Sequence, residues 1–204
     1  MPSKSADALL FDLGRVVIDI DFNRAFTRWA GHAHCDEMLI RERFRHDTAY
    51  KRHERGEIDS EEFFANLRES LGIDISDAQL LDGWNSILVG EMPGISELLA
   101  KAAESFPLYV FTNSNREHEQ CWSKQFSSIL SNFKEIYVSS TIGLRKPEAE
   151  AYDYVVRAIG VSADRIVFFD DVLENIEGAR ARGLQAVHVR SRGDVAVAVA
   201  SLIP

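Results

Sequence analysis

The chain has 204 residues, enough for one substantial domain or for a core domain carrying a smaller insert. Hydrophobic residues make up 46% and charged residues 27%, a balance that allows a packed core and excludes an intrinsically disordered chain. The formal charge of −9 comes without any run of Lys and Arg, so neither nucleic acid nor an anionic membrane surface is expected as a partner.

In chain order, the first predicted element is a strand over residues 7–12 (DALLFD), which ends on Asp12 and is followed by a turn at Gly14. Residues from about 20 to 90 show no convincing strand and several helices in succession. Asp59 with Glu62 reads as a capping box ahead of Phe63, Phe64, Leu67 and Leu71, with Gly72 as the stop. Ser76 with Gln79 repeats the device ahead of Leu80, Leu81, Trp84, Ile87 and Leu88. Further strands are predicted at 107–111, 135–139, 165–169 and 185–189, all continuous apolar runs of the kind that parallel strands covered on both faces require. Between them, one helix starts at Pro147, places Ala149, Tyr152, Val156 and Ile159 on one face and stops at Gly160; another runs from about Glu174 to Arg182 and stops at Gly183.

Strand alternating with helix predicts a doubly wound, Rossmann-like α/β core made of residues 1–19 plus 92–204. A helical bundle of residues 20–91 is inserted after the first strand and returns near Met92-Pro93-Gly94. It would sit over the carboxyl end of that strand, the edge at which open α/β sheets bind ligands, and residues near 19–21 and 89–93 would be its hinges. The two cysteines, Cys35 and Cys121, form neither a disulfide framework nor a zinc pattern. The N-terminus lacks the apolar core of a signal peptide, and no apolar run approaches the roughly 20 residues that span a bilayer. A cytoplasmic monomer is the expectation.

Four features fall at the carboxyl ends of predicted strands or just beyond: Asp12, Thr112-Asn113, Arg145-Lys146-Pro147 and Asp170-Asp171. Singly, each is explained by turn or cap formation. Together they furnish one pocket with a nucleophile-capable carboxylate, a hydroxyl and an amide, an ammonium, and an acidic pair suited to a hard cation. Such a pocket suits a phosphate ester, whose charge must be neutralised before a carboxylate can attack it.

The order DLG, TN, KP, then DD followed by ENIEGA resembles the four motifs of the haloacid dehalogenase-like hydrolase superfamily, and the helical insert resembles the cap of its C1 class. FDLGRVVIDIDFNRAF, HERGEIDSEEF, TNSNREH and LRKPEAEAY look like the bacterial α-D-glucose-1-phosphate phosphatase group. The resemblance implies Asp12 as nucleophile forming an aspartyl-phosphate, Thr112 and Asn113 holding the phosphoryl group, and Lys146 neutralising charge. It implies magnesium held by Asp12, the Gly14 carbonyl and Asp171, with Asp170 as an outer partner. The implied activity is hydrolysis of a small phosphorylated metabolite such as glucose 1-phosphate.

Most phosphatases of that superfamily carry a second aspartate where this chain has Gly14, and general acid–base help is worth about 10² to 10⁴ in rate. Three readings follow. The enzyme is a phosphatase with a substitute acid (Asp19, Asp21, His118 or a water); it is a 2-haloacid dehalogenase-type hydrolase, although no tyrosine lies near Asp12; or it is a catalytically weak phosphate-binding module. As a surface helix residue, His118 has an ordinary reading as well. HERGE, residues 53–57, reads either as a solvated loop or as a segment above the site. The spacing of Trp84 and Phe63 favours bundle core, His32, His34 and Cys35 lack a fourth metal ligand, and Asn175 is placed to orient Asp171 or to serve a structural role.

Overall fold

A computed structural model describes residues 6–202 of the chain. The first strand, β1 (Ala8–Phe11), is followed by β2 (Ile18–Ile20) and five helices: α1 (Phe22–Ala33), α2 (Glu37–Arg43), α3 (Thr48–Glu54), α4 (Ser60–Leu71) and α5 (Asp77–Asn85). Then come β3 (Leu88–Glu91), α6 (Ile95–Ala103), β4 (Leu108–Thr112), α7 (Arg116–Gln125) and α8 (Ser127–Leu130). The last third holds β5 (Glu135–Val138), α9 (Ser139–Ile142), α10 (Ala149–Ile159), β6 (Ile166–Asp170), α11 (Leu173–Ala181), β7 (Gln185–His188) and α12 (Arg192–Leu202).

Five strands form a parallel sheet in the order β5-β4-β1-β6-β7, as the five apolar runs predict. Its strands are covered on both sides. Leu9 and Phe11 of β1 face one core shared with Leu99 of α6, Trp122 of α7 and Ala198 of α12. Ala8 and Leu10 face the other, with Tyr152 and Val155 of α10 and Ile176 of α11. The buried face of α10 is centred on Ala151, Tyr152 and Val155, one position off the predicted face, and the helix begins at Ala149 rather than Pro147.

Registers place Phe11 beside both Val110 and Phe169, and Asp12 N–H donates to the Phe169 carbonyl at 2.8 Å. Chain order reverses direction across β1, so the carboxyl ends of β4, β1 and β6 meet at a topological switch point.

The segment between β1 and β4 contains a second sheet that the strand patterns did not predict. β2 and β3 pair antiparallel, Ile18 with Glu91 and Asp19 with Gly90, and so join the two connections of the helical bundle to each other. At three and four residues they are too short to show a period of two. The bundle itself follows the cap signals. Asp59 accepts from Glu62 N–H, a cap worth about 1 kcal/mol, and Gly72 ends α4 at φ +66°, a conformation glycine adopts without steric cost. The Glu62 side chain accepts from Arg52 at 3.1 Å instead of completing a box, whereas Ser76 and Gln79 cap each other reciprocally. Phe63 and Trp84 are core residues, as expected, and Trp84 stacks on Trp29 at 6.2 Å. Gly83 permits this approach, because a Cβ there would lie 2.2 Å from Trp29 Nε1.

Among the described residues no helix is long and apolar enough to cross a membrane.

Candidate active site

The four sequence features converge on one cavity of about 620 Å³. Its lining includes Asp12, Gly14, Thr112, Asn113, Lys146 and Asp171. Its floor is an ion triad: Lys146 Nζ donates to Asp12 Oδ1 at 2.8 Å and to Asp170 Oδ2 at 2.7 Å. Lys146 is 1% exposed and Asp170 fully buried, and the ammonium also lies 5.3 and 5.2 Å from the Phe111 and Phe168 ring centres. Unpaired charges could not remain ionised at that depth.

The triad's electrostatics follow from its composition. Burial lifts the Asp12 carboxyl to about 7; Lys146 pulls it down, while Asp170 and Asp171 push it up. Burial works against the Lys146 charge, yet Asp12 and Asp170 outweigh it and raise its affinity for the proton. Asp171 is raised by burial and by Asp170, with the Arg15 guanidinium 3.8 Å away acting in the other direction.

Several side chains fix the floor. Asn113 accepts from Lys146 N–H at 2.9 Å and donates to the Lys146 carbonyl at 2.9 Å, bracing the loop that carries the lysine and its cis bond to Pro147. Its carbonyl oxygen and one of its two amide N–H donors are thereby engaged by the loop. Asn175 donates to both Asp170 oxygens at 3.0 Å, and Val172 N–H donates to Asp170 Oδ1 at 2.8 Å. Thus Asn175 orients Asp170, not Asp171 as one expectation had it, and Asp170's oxygens are filled by protein donors. Thr112, buried at the end of β4, lines the cavity next to them. Gly14 sits between Asp12 and β2, where a Cβ would approach Ile20 Cδ1 to 3.1 Å.

Of the side chains expected as substitute acids, His118 lines the cavity and the two aspartates do not. Asp21 caps α1 by accepting from Asn23 N–H, and neither it nor Asp19 lines the cavity. His118 is buried instead of lying on the surface. Its Nε2 donates to the Trp84 carbonyl at 2.9 Å, its Nδ1 accepts from Asn115 Nδ2 at 3.1 Å, and burial pushes its imidazole down to about 4. With both nitrogens engaged and the ring neutral, it has no proton to offer. His32 bonds Asp82 and Gln79, and among the described residues the one acidic or metal-ligating cluster is Asp12, Asp170 and Asp171, whose oxygens lie within 4.8 Å of one another.

The roof includes the HERGE segment, in keeping with the reading that sets it above the site. HERGE is not a solvated loop. His53 bonds Glu117 at 3.0 Å, Glu54 accepts from Arg145 Nε at 3.0 Å and Nη2 at 2.9 Å, and Arg55 pairs with Glu148 at 2.9 Å. Burial acts to raise Glu117, but hydrogen bonds from His53, its own backbone N–H and Ser60 hold it down at about 2. Three consecutive side chains therefore clamp α3 to α7 and to the Lys146 loop. Gly56 completes the clamp at φ +67°, where a Cβ would meet the Ser140 carbonyl oxygen at 2.4 Å. Phe22, His46, Tyr50, Lys51 and Glu54 line the cavity from this side.

Residues 6–183 match the family model of a haloacid dehalogenase-like hydrolase. A D-ribitol-5-phosphate phosphatase from Bacteroides thetaiotaomicron is 24% identical over 91% of this chain and 93% of its own. A sesquiterpene phosphatase from Aspergillus oryzae is 28% identical over 69% and 71%. Among solved structures, a family enzyme from Bacteroides thetaiotaomicron, crystallised with magnesium and inorganic phosphate, superposes with a TM-score of 0.80 at 27% identity, covering 92% of this chain and 96% of that one.

Proposed function

The chain belongs to the haloacid dehalogenase-like hydrolases, and from that premise we propose that it is a magnesium-dependent phosphatase of a small phosphorylated metabolite, a sugar phosphate such as glucose 1-phosphate. Phosphatases among its relatives and the magnesium and phosphate bound by a structural neighbour support the reaction class. The relative that acts on ribitol 5-phosphate, and a cavity of about 620 Å³, support a polyhydroxylated substrate of sugar size.

The observation that carries this reading is the Lys146 ammonium held between Asp12 and Asp170 on the cavity floor. Asp12 attacks phosphorus and becomes the aspartyl-phosphate that water later cleaves. Lys146 favours the ionised form of Asp12 against the pull of burial and faces the phosphate's charge, and Thr112 positions the phosphoryl oxygens. The clustered carboxylates are the hard oxygen donors that magnesium takes. We assign its ligands as Asp12, the Gly14 carbonyl and Asp171, with Asp170 behind them. When bound, the ion would screen the charges of nucleophile and phosphoryl group. Residues 20–91 form the C1-type cap over a core of residues 1–19 plus 92–204. The two free cysteines suit a cytoplasmic setting, and we assign a monomer.

The test is phosphate release from a panel of phosphorylated sugars and sugar alcohols, with and without magnesium. We expect turnover that requires the metal. Chloride release from 2-haloacids without phosphate release, or no turnover of either class, would overturn the reading.

A further inference from the structure

We propose that Glu54, in the last turn of α3, is the general acid and base that Gly14 does not supply. The assignment rests on the phosphatase reading above.

In-line attack by Asp12 from the floor sends the departing oxygen away from the floor, toward the side that the helical bundle lines. Carboxylates around the cavity are Asp12 and Asp171 in the floor cluster, Glu174 exposed on α11, and Glu54. Among the described residues, Glu54 is the buried carboxylate outside the floor cluster, at 7% exposure. It is not loose: Oε2 accepts from both Nε and Nη2 of Arg145. A carboxylate fixed in this way meets the geometric demand on a proton donor, a constant position relative to the reacting oxygen.

The groups around it set its affinity for the proton. Burial raises the Glu54 carboxyl above the usual range, against the opposing pull of Arg145 and Lys146 from the core and His53 from its own helix. Tyr50 is itself pushed far up by burial and by Glu54, so it stays a neutral donor. His46 stacks on Tyr50 at 4.4 Å, and burial together with Arg145 and Arg15 lowers its proton affinity, so it is a poor acid near neutrality. Glu54 is thus the roof group able to carry a proton to the site.

In the first half-reaction, an Asp12 oxygen forms the bond to phosphorus while the bond from phosphorus to the ester oxygen breaks. The electron pair leaves with that oxygen, which takes the Glu54 proton and departs as an alcohol. In the second, the Glu54 carboxylate removes a proton from water as the water oxygen bonds to phosphorus. The bond from phosphorus to Asp12 breaks, returning the Asp12 carboxylate, the protonated Glu54 and inorganic phosphate.

The test is the leaving-group dependence of Glu54→Gln. kcat/KM reports reaction through formation of the phosphoenzyme, so it isolates the acid role. For a simple alkyl phosphate, whose alkoxide needs a proton, we expect a loss of about 10² to 10⁴. For p-nitrophenyl phosphate, which departs without one, we expect a loss of less than about tenfold. The aryl ester also serves as the control for folding. Equal losses on both esters, or none on either, would overturn the assignment. A second measurement needs no variant: in the wild-type protein, the ratio of alkyl to aryl kcat/KM should fall as pH rises through the titration of Glu54, and a flat ratio would overturn it. A protein inert toward both esters would remove the phosphatase reading itself; an active one with unmoved selectivity removes this assignment alone.

Discussion

The floor and the roof of the cavity are built on opposite principles. The floor is a lysine and two aspartates sunk among Phe111, Phe168 and the ends of three parallel strands, where each charge exists because the others do. The roof is a helix end held down by a row of pairs, His53 with Glu117, Glu54 with Arg145 and Arg55 with Glu148, which become steadily more exposed along the row. A floor of this kind has one arrangement and is costly to perturb. A roof of this kind can be loosened pair by pair, which leaves the nucleophile fixed below while the proton donor and selectivity are set above.

The contrast can be broken first at the nucleophile. Asp12→Asn keeps the shape and leaves Lys146 paired with Asp170, so turnover should fall at least about 10⁴-fold with circular dichroism unchanged. Residual activity within tenfold of wild type would place the nucleophile elsewhere. Next, Lys146→Met strands two buried carboxylates and should cost about 3–5 kcal/mol in urea unfolding. A loss under about 1 kcal/mol would show that the floor is wetter than its burial implies.

His118, at the joint of floor and roof, gives a smaller and pH-dependent effect. Its folded-state value of about 4 lies below the ordinary 6.5, so between these pH values the unfolded chain binds a proton that the folded one refuses. Stability should therefore be lost as pH falls from 6.5 to 4, and His118→Gln should flatten that limb of a denaturation series. An unchanged slope would mean that the imidazole titrates normally. The smallest effect is expected at the outermost roof pair. Arg55→Ala removes contacts to Glu57 and Glu148, both more than a third exposed, and should cost less than about 1 kcal/mol, shrinking further in high salt. A loss comparable to that of Lys146→Met would erase the distinction between the two layers.

The floor was far more legible in the sequence than the roof. Asp12, Thr112, Lys146 and Asp170-Asp171 stand at or just beyond the ends of continuous apolar runs, so strand prediction alone carried them to one edge. Glu54 and Arg145 lie in polar stretches whose burial arises only when α3 docks on the core, an event that no local pattern encodes. His118 misled for the same reason: α7 is polar along its length, and the ring is covered by Trp84, 34 residues earlier in the chain. The bracing of the Lys146 loop by the Asn113 side chain was equally hidden, since its partner is a backbone 33 residues away. β2 and β3 escaped because three or four residues carry too little periodicity.

Pairing of β2 with β3 has a further consequence for how this chain can change over time. The bundle departs at Ile18 and comes back opposite it at Glu91, so its two ends lie one strand spacing apart. Geometrically it is a long loop grafted onto a hairpin, and insertions of that kind are replaced, lengthened or trimmed with little strain on the host. Chimeras are therefore within reach: a different bundle joined at Ile18 and Glu91 should inherit the floor with its nucleophile and bring its own proton donor and choice of substrate.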